Sequence, residues 1–516
     1  MDHQPADVGL TRHTPAPPTT AKPTTAKPTE ERADPVKTHP TAALADVPRT
    51  DSFVNGDVSF WYRGIGLPTP RPGLPGPRSY DVCLVGGGFT GLWTAYYLKR
   101  ARPELRIAVL EREFAGFGAS GRNGGWLTGA LAGSRERYAA AHGRPATIAL
   151  QRAMWASIDE VIRVAGAEGI DADIVKGGLL HVATNPAQRR RLHAELAEDR
   201  EWQIGEADVR LLDAAERSDR LRVAGTLDAT YTPHCARIQP AKLVQGVARA
   251  VERLGVDIFE GTTVTEIRPR TGAGTAATAV TDRGEVTADY VIRATEGFTA
   301  GIEGQHRQWL PMNSSLIATE PLPADVWARI GWAGRELLGD GAHAYIYAQR
   351  TADDRIAIGG RGVPYRYGSR WDNRGTTHDR TVVALWRMIA RLFPEAADAR
   401  LDHAWCGVLG VPRDWCSTVH LDHDSGLGWA GGYVGHGVTT TNLAGRTLAD
   451  LVLRRDTELT RLPWVGRQVR SWEPEPLRWL GVQLIYTLFR AADRAENDRA
   501  LHTSRYARLA ELISGR

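Results

Sequence analysis

The sequence predicts an α/β protein in which one domain, built around a parallel sheet, is assembled from separated segments and interleaved with a second domain. Two observations carry this prediction. Residues 80–111 read as one strand–helix–strand unit, and strand and helix patterns of the same kind return after residue 226. The length of 516 residues also exceeds one ordinary hydrophobic core, which favours two domains.

The strand–helix–strand unit begins with YDVCLV at 80–85, a short apolar run typical of a buried parallel strand. FTGLWTAYYLKR at 89–100 has the apolar spacing of a helix, and Pro103 ends it. RIAVLE at 106–111 is a second buried strand. Together they form a β-α-β unit.

Later segments divide between the two domains. AKLVQGVARAVERLG at 241–255 is an amphipathic helix, and VDIFEG, TTVTEI and the stretch 285–295 look like strands. Between these pieces come GGLLHVAT (177–184) and RIAIGGRG (355–362), read as strands, and the helix TVVALWRMIARLF at 381–393. We therefore assign 80–145, 226–304 and 401–455 to the first domain, 146–225 and 305–400 to the second, and 456–516 to C-terminal helices.

The N-terminal segment has a different composition. Residues 1–50 contain nine Pro, ten Thr and no aromatic residue, and TTAKP occurs twice in succession. Such a segment buries too little apolar area to offset its ordering entropy, so we expect a disordered tail. Aromatic residues begin at Phe53, and we expect 51–79 to form an arm lying over the main body.

Composition excludes several classes of protein. The net charge of +4 comes without a basic patch, which argues against nucleic-acid binding. The four cysteines form no CxxC pair and are too few for a disulfide framework, so we expect no metal site and a reducing, cytoplasmic location. We expect no signal peptide and no membrane span, because LRWLGVQLIYTLFRAA (477–492) carries Arg, Gln and Gly. It reads as an amphipathic helix packed on the protein, with contact to a membrane surface as the alternative.

The turn after the first strand, Gly86-Gly87-Gly88-Phe89-Thr90-Gly91, matches G-x-G-x-x-G. Gly86 allows the tight turn, Gly88 lets the backbone approach a pyrophosphate, and Gly91 allows close packing of helix and strand. Glu111 closes the next strand and can accept hydrogen bonds from ribose hydroxyls, which disfavours a 2′-phosphate. With a strand before it and a helix after it, this turn predicts a dinucleotide site.

The stretch GFGASGRNGG at 116–125 favours FAD over NAD. It follows Glu111 by a few residues, so we expect it beside the pyrophosphate and the group that comes next. A flavin needs close backbone approach along its ribityl chain and ring, whereas NAD enzymes need no Gly-rich Arg-Asn segment there. We interpret its glycines as clearance for the cofactor. We interpret Arg122 and Asn123 as side chains that make polar contacts near the flavin.

GGGFTG with Glu111 and then GASGRNGG resembles the FAD-dependent oxidoreductases of the D-amino-acid oxidase superfamily. ARIQPAKLV (236–244), PMNSSLIATEPL (311–322), GVLGVPRDW (407–415) and GGYVGHGVTTTNLAGRTLADL (431–451) agree with it. The resemblance covers roughly 58–485, and the branch it is most similar to is that of the gamma-glutamylputrescine oxidoreductase type, with glycine and sarcosine oxidases as relatives.

The resemblance implies a doubly wound FAD-binding domain beside an antiparallel-sheet substrate domain, with the flavin between them. It implies adenine contact by the Val264 backbone. Val438 begins a helix pattern, so we expect its N-terminus, with Gly435, His436 and Gly437, to stabilise the negative charge of reduced flavin. His436 is predicted either to contact the ring or to fix the loop. The predicted cofactor-binding residues are Gly86, Gly88, Phe89, Thr90, Gly91, Glu111, Arg112, Ser120, Gly121, Arg122, Asn123, Gly124, Gly125, Val264, Gly432, Gly435, His436, Gly437, Val438 and Thr439.

The same resemblance implies that a small amine or amino acid loses hydride from its α-carbon to flavin N5, and that the imine then hydrolyses. Dioxygen or another carrier would reoxidise the flavin. This chemistry needs the substrate to be aligned over the flavin ring rather than a catalytic triad. The sequence shows no such triad. The alternatives are a flavoprotein monooxygenase or reductase, or a non-catalytic flavin-binding module.

Substrate contacts are expected from the second domain. Aromatic rings suit an apolar amine chain, and an Arg suits a carboxylate. The predicted catalytic residues are His436, Tyr345, Tyr347 and Arg361. Further candidates are His343, Tyr365 and Tyr367. We expect noncovalent FAD, with a covalent link at Cys406 as the alternative, because sarcosine oxidases carry a linking Cys at a comparable place.

Overall fold

The computed structural model describes residues 53–272, 274–360, 362, 364–497 and 500–514. The tail predicted over 1–50 and the candidate Arg361 lie outside the described residues. The helices, in chain order, are α1 (Phe60–Ile65), α2 (Phe89–Ala101), α3 (Arg135–Ala167), α4 (Pro186–Glu201), α5 (Ala214–Arg220), α6 (Pro240–Arg253), α7 (Ala324–Ile330), α8 (Asp379–Leu392), α9 (Gly437–Val452), α10 (Leu477–Asn497) and α11 (Arg505–Ser514).

The strands group into two large sheets and a small ribbon. In chain order they are β1 (Val54–Asn55), β2 (Arg78–Val85), β3 (Ile107–Leu110), β4 (Trp126–Thr128), β5 (Leu179–Ala183), β6 (Arg210–Leu211), β7 (Asp228–Thr232), β8 (Cys235–Arg237), β9 (Asp257–Phe259), β10 (Val264–Arg268), β11 (Ala277–Thr281), β12 (Gly284–Arg293), β13 (Leu310–Thr319), β14 (Leu337–Asp340), β15 (Tyr347–Arg350), β16 (Ile356–Gly360), β17 (Leu401–Val411), β18 (Thr418–Asp422) and β19 (Leu427–Gly431).

The first large sheet has a parallel centre, as the strand–helix–strand unit predicts. Its order is β10-β11-β12-β2-β3-β9, with β19 beside the end of β12 and β18 beside β19. Strands β12, β2, β3 and β9 run parallel to one another, and β19 runs parallel to β12. Their carboxyl ends therefore meet at one edge, which is where ligands bind in open α/β sheets.

Strand β2 shows why these residues form a buried strand. Its alternate side chains point to opposite faces of the sheet. Val82 and Leu84 belong to the core formed with α2, α6 and α9, whereas Cys83 and Val85 belong to a second core with β11 and β12. All four side chains are buried because both faces of the strand are covered.

The second large sheet has the order β1-β17-β13-β16-β15-β14-β5-β7-β6. It is mixed rather than wholly antiparallel, because β14 pairs with β5, and β1 with β17, in parallel. Strand β17 pairs with β13 along most of its length. Residues 401–411 thus belong to this sheet, although the sequence pattern assigned 401–455 to the first domain; the other predicted boundaries stay predictions.

The structure also contains the predicted arm and the predicted C-terminal helices. Strand β1 adds to the second sheet, and α1 packs on α6, so 53–65 does lie over the body. Within the predicted C-terminal helices of 456–516, the described residues form α10 and α11, and the stretch from 462 to α10 is non-helical. Across the part of the chain that the structure describes, no helix combines the length and apolar character needed to cross a bilayer.

Candidate functional site

A cavity opens at the carboxyl edge of the parallel strands. Its volume is about 170 Å³. Twelve of the predicted cofactor-binding residues line it: Gly86, Gly88, Phe89, Thr90, Glu111, Arg112, Ser120, Asn123, Val264, Gly435, Gly437 and Val438.

The Gly-rich turn closes one end of this cavity. Gly86 has φ +114°, and a Cβ on it would lie 2.7 Å from the carbonyl oxygen of Ala294. A Cβ on Gly91 would lie 2.2 Å from the carbonyl oxygen of Gly86, so helix α2 can approach the turn only with glycine there. The helix begins at Phe89, whose amide donates to Ser120 Oγ at 2.9 Å. The turn and the start of α2 thus supply the backbone environment that favours a phosphate.

Glu111 holds the turn from the end of β3. Its carboxylate accepts hydrogen bonds from the amides of Gly87 at 2.8 Å and Glu113 at 3.0 Å. Burial raises the pKa of Glu111, and the two amide bonds oppose that rise. Each carboxylate oxygen has more than one lone pair, so Glu111 can fix the turn and still accept from a ribose hydroxyl.

These residues fit FAD. The turn and helix start suit the pyrophosphate, and Glu111 suits the ribose. Apolar walls from Val85, Leu110 and Val408 suit flat ring systems. A Cβ on Gly88 would approach Ser120 Oγ to 2.9 Å, so the free space beside the turn depends on the missing side chain.

Arg122 does not have the place that we expected. Its side chain is 1% exposed, and it donates to the carbonyl oxygens of Phe117 at 2.8 Å, Asn373 at 2.7 Å and Cys406 at 3.4 Å. Burial lowers the pKa of this guanidinium. Arg122 therefore fixes the loop from behind, because three carbonyl oxygens take up its donors, and it is not among the residues lining the cavity.

Asn123 lines the cavity and also organises the loop. Its Nδ2 donates to the Ser120 carbonyl at 2.9 Å, and its Oδ1 accepts from the Gly125 amide at 2.8 Å. Its own carbonyl accepts from Trp61 Nε1 at 2.8 Å. The arm thus braces this loop, a contact that the sequence did not reveal.

Three glycines of this loop, Gly121, Gly124 and Gly125, make room for protein. A Cβ on Gly121 would lie 2.3 Å from the Gly116 carbonyl oxygen, and one on Gly124 would lie 2.7 Å from the Tyr347 ring. Gly125 has φ +71°, and its Cβ would meet Gln349 Nε2 at 2.0 Å. The interpretation of every glycine here as clearance for a flavin is wrong for these three, because neighbouring strands and the arm occupy that space.

The other side of the cavity is formed by the turn between β19 and α9. Gly435 has φ +108°, and His436 is the residue just before the first turn of α9. Gly437 and Val438 line the cavity, so the N-terminus of α9 faces it, as predicted. Gly432 is packed against Pro412, and it lies outside the lining together with His436 and Thr439. The ring contact predicted for His436 stays a prediction.

Of the substrate candidates, Tyr347 is the one that packs on the loop of 116–125. Its ring lies over Gly124 and meets Trp126 edge-on, with the ring centroids 6.1 Å apart. Its hydroxyl is hydrogen-bonded to Ser314 Oγ at 2.8 Å. Tyr345 precedes β15 and is partly buried. Both remain candidate substrate contacts.

The other candidates contact the C-terminal segment instead. His343 lies 2.9 Å from Glu496 and stacks on Phe489, both in α10. Tyr365 donates to Glu475 at 2.5 Å, and Tyr367 is exposed beside Trp479. The sequence could not show this, because each partner lies more than a hundred residues away. These three side chains hold α10 and the segment before it to the body.

Cys406 lies in β17 and is 2% exposed. Burial raises the pKa of its thiol to about 11, and its Sγ donates to the Thr376 carbonyl at 3.5 Å. It is not among the residues that line the cavity. A protonated thiol away from the cavity supports the expectation of noncovalent FAD, which stays a prediction.

The Gly-rich turn, the helix start and the carboxylate after the next strand define a dinucleotide-binding protein. Residues 81–451 match the DAO family, described as FAD dependent oxidoreductase. The chain therefore belongs to this family of FAD-dependent oxidoreductases.

Known proteins of this kind are similar over most of their length. The gamma-glutamylputrescine oxidoreductase of Escherichia coli K12 is 32% identical over 384 residues, covering 73% of this chain and 84% of that protein. The glycine oxidase of Geobacillus kaustophilus is 25% identical over 396 residues, covering 75% and 96%. The crystal structure of L-proline dehydrogenase from P. horikoshii superposes with a TM-score of 0.61 at 18% identity, covering 75% and 98%, which supports the fold alone.

Proposed function

We propose that this protein oxidises the C–N bond of a small amine or amino acid. Family membership over 81–451 is the observation that carries the proposal, since it makes the protein an FAD-dependent oxidoreductase. The class of substrate is supported by relatives named for gamma-glutamylputrescine and glycine. Bound FAD would supply the acceptor for the hydride that the α-carbon of the amine loses; the amine nitrogen would release a proton to solvent, and water would hydrolyse the resulting imine.

The chain's own contribution is binding, orientation and exclusion of water. Tyr347 and Trp126 lie outside the cavity lining, where the Tyr347 ring packs on Gly124. We propose them as the aromatic contacts of the substrate, with the Tyr347 ring fixed by the hydrogen bond to Ser314. An apolar surrounding lowers the pKa of a bound amine, so the substrate reaches its reactive neutral form without a strong protein base. The N-terminus of α9 favours negative charge in the cavity and so stabilises the reduced state.

An anaerobic screen of primary amines, secondary amines and amino acids against the FAD-loaded protein tests this proposal. We expect at least one member of the panel to bleach the flavin absorbance. Hydrogen peroxide formed when the same reaction runs in air identifies dioxygen as the acceptor, and its absence identifies another carrier. A panel in which no compound bleaches the flavin contradicts amine oxidation, and bleaching by NADH or NADPH alone indicates a reductase.

A further inference from the structure

Glu296 has no role in any of the motifs, yet it lines the cavity. It follows β12 by three residues, beyond the carboxyl edge of the parallel sheet. Its carboxylate accepts a hydrogen bond from the Gly432 amide at 2.9 Å and another from the Tyr433 amide at 3.2 Å. A side chain just beyond the end of β12 thereby holds the turn that leads from β19 to α9.

Two glycines leave space for this carboxylate. A Cβ on Gly410 would lie 2.7 Å from Glu296 Oε2, and a Cβ on Gly431 would lie 2.8 Å from the same oxygen. The Gly410 amide also lowers the pKa of the carboxyl. The carboxylate thus joins the ends of β12, β17 and β19, three strands from both large sheets.

Two effects disfavour a charged Glu296 in this position: its backbone conformation and its burial. Its φ of +43° is unusual for a residue with a side chain, and such conformations persist where the surrounding structure holds them. Burial also raises the pKa of the carboxyl to about 7, against the lowering by the backbone amides. A strained backbone and a raised carboxyl pKa on a residue that lines the cavity favour a functional role for Glu296.

Among the residues that the structure describes, Arg293 and Tyr433 are the charged and titratable groups that act on Glu296. Arg293, at the end of β12, attracts it, and burial lowers the pKa of Arg293 to about 10. The Arg293 guanidinium stacks on the Trp309 ring, 4.5 Å from its centroid. Tyr433, on the β19 side, is held neutral because burial raises the pKa of its hydroxyl, which is hydrogen-bonded to Thr90 at 2.9 Å.

We infer that Glu296 is a positioning residue for FAD, which fixes the Gly432–Tyr433 turn and thereby sets the start of α9 against the cofactor. Gly435 and Gly437, which line the cavity, follow this turn directly. The hydroxyl of Tyr433 reaches Thr90 in the first turn of α2, so the same turn also touches the pyrophosphate end of the site. Glu296 therefore connects the two helix starts that face the cofactor.

Glu296→Gln tests this role, with Glu303→Gln as the matched control. Gln keeps the size of the side chain but offers one acceptor oxygen and turns an NH₂ group towards a backbone amide. Glu303 loses the same charge seven residues further on, where its side chain is exposed. The measurements are the Kd for FAD, by quenching of FAD fluorescence on titration with apoprotein, and the midpoint potential of the bound flavin at pH 6 and pH 8.

We expect Glu296→Gln to weaken FAD binding about tenfold or more at pH 8, since hydrogen bonds to a charged acceptor are lost. Removal of a negative charge raises the midpoint potential at pH 8, and the difference from the native protein shrinks at pH 6, where the native carboxyl is largely protonated. A merely structural role would not produce this dependence on pH. An unchanged or tighter Kd, or potentials equal to those of Glu303→Gln at both pH values, overturns the inference.

Glu296→Gly provides an independent check. Glycine adopts φ +43° without strain, so this variant removes the carboxylate and relieves the backbone at once. Weaker FAD binding in both variants supports the positioning role, whereas native affinity in the glycine variant contradicts it. None of these readouts depends on the substrate, so failure here is distinguishable from failure of the proposed amine oxidation.

Discussion

In the FAD-free protein, the buried carboxyl of Glu296 makes folding stability depend on pH with a predictable sign. Burial raises its pKa from 4.5 to about 7 in the folded state. The stability associated with the protonated carboxyl is therefore fully present below pH 4.5 and is lost as the pH rises through about 7. At about 1.4 kcal/mol per pKa unit, the loss reaches roughly 3 kcal/mol above pH 8.

Glu296→Gln cannot ionise, so it escapes this loss. The free energy of unfolding of the variant minus that of the native protein should rise by about 3 kcal/mol between pH 4.5 and pH 8. Urea denaturation of both FAD-free proteins across this range, followed by tryptophan fluorescence, measures the difference, and any constant effect of the lost hydrogen bond cancels. A difference that stays flat with pH, or that falls, refutes the placement of an ionisable carboxyl among Gly410, Gly431 and Gly432.

Three further predictions concern packing, cofactor attachment and the substrate face. Gly91→Ala should lower FAD content and destabilise the protein by more than 1 kcal/mol in denaturant titrations, because its Cβ would lie 2.2 Å from a backbone oxygen. Gly481→Ala in α10, with no heavy atom within 4 Å, should keep FAD content native and stability native or higher, and equal effects of the two changes would contradict the turn geometry. Acid precipitation should release all FAD into the supernatant, and Cys406→Ser should keep a full FAD complement; a yellow pellet that turns white in this variant would show a covalent bond. Tyr347→Phe should retain FAD and lower kcat/KM for the amine up to about tenfold, since one neutral hydrogen bond is lost, and native kinetics would remove Tyr347 from the substrate site.

Sequence patterns predicted the parts of the site that depend on near neighbours. The turn at Gly86, the helix α2 and the carboxylate of Glu111 lie within one β-α-β unit, and their geometry follows from local backbone requirements. The start of α9 was predicted for the same reason, because Gly435 and Gly437 precede a helix pattern.

Long-range packing explains most of what the sequence could not show. Arg122 is adjacent to a cavity-lining residue, yet its guanidinium is enclosed by carbonyl oxygens from Phe117, Asn373 and Cys406. His343 belongs to a stretch of aromatic residues that suits a substrate, yet its partner is Glu496 in α10. Periodicity carries no information on such partners, because they come from distant segments.

Glu296 was not predicted as a site residue because it belongs to none of the sequence motifs. The residues around it, Arg293 to Phe298, read as an ordinary strand end followed by a short turn. Its role depends on the ends of β12, β17 and β19, which converge only in the folded protein, with Gly410 and Gly431 leaving space for the carboxylate. A charged residue directly after a buried strand of a parallel sheet is the one signal that could have drawn attention to it.

The central claim, that the protein oxidises a C–N bond at a bound FAD, is tested most directly by a single anaerobic turnover. FAD-loaded protein is mixed with the amine or amino acid that bleaches it fastest, and the carbonyl product is quantified after quenching. The account predicts about one equivalent of carbonyl product per FAD reduced, because each hydride transferred leaves one imine to hydrolyse. Reduction of the flavin without a carbonyl product, or no reduction by any amine or amino acid, would contradict it.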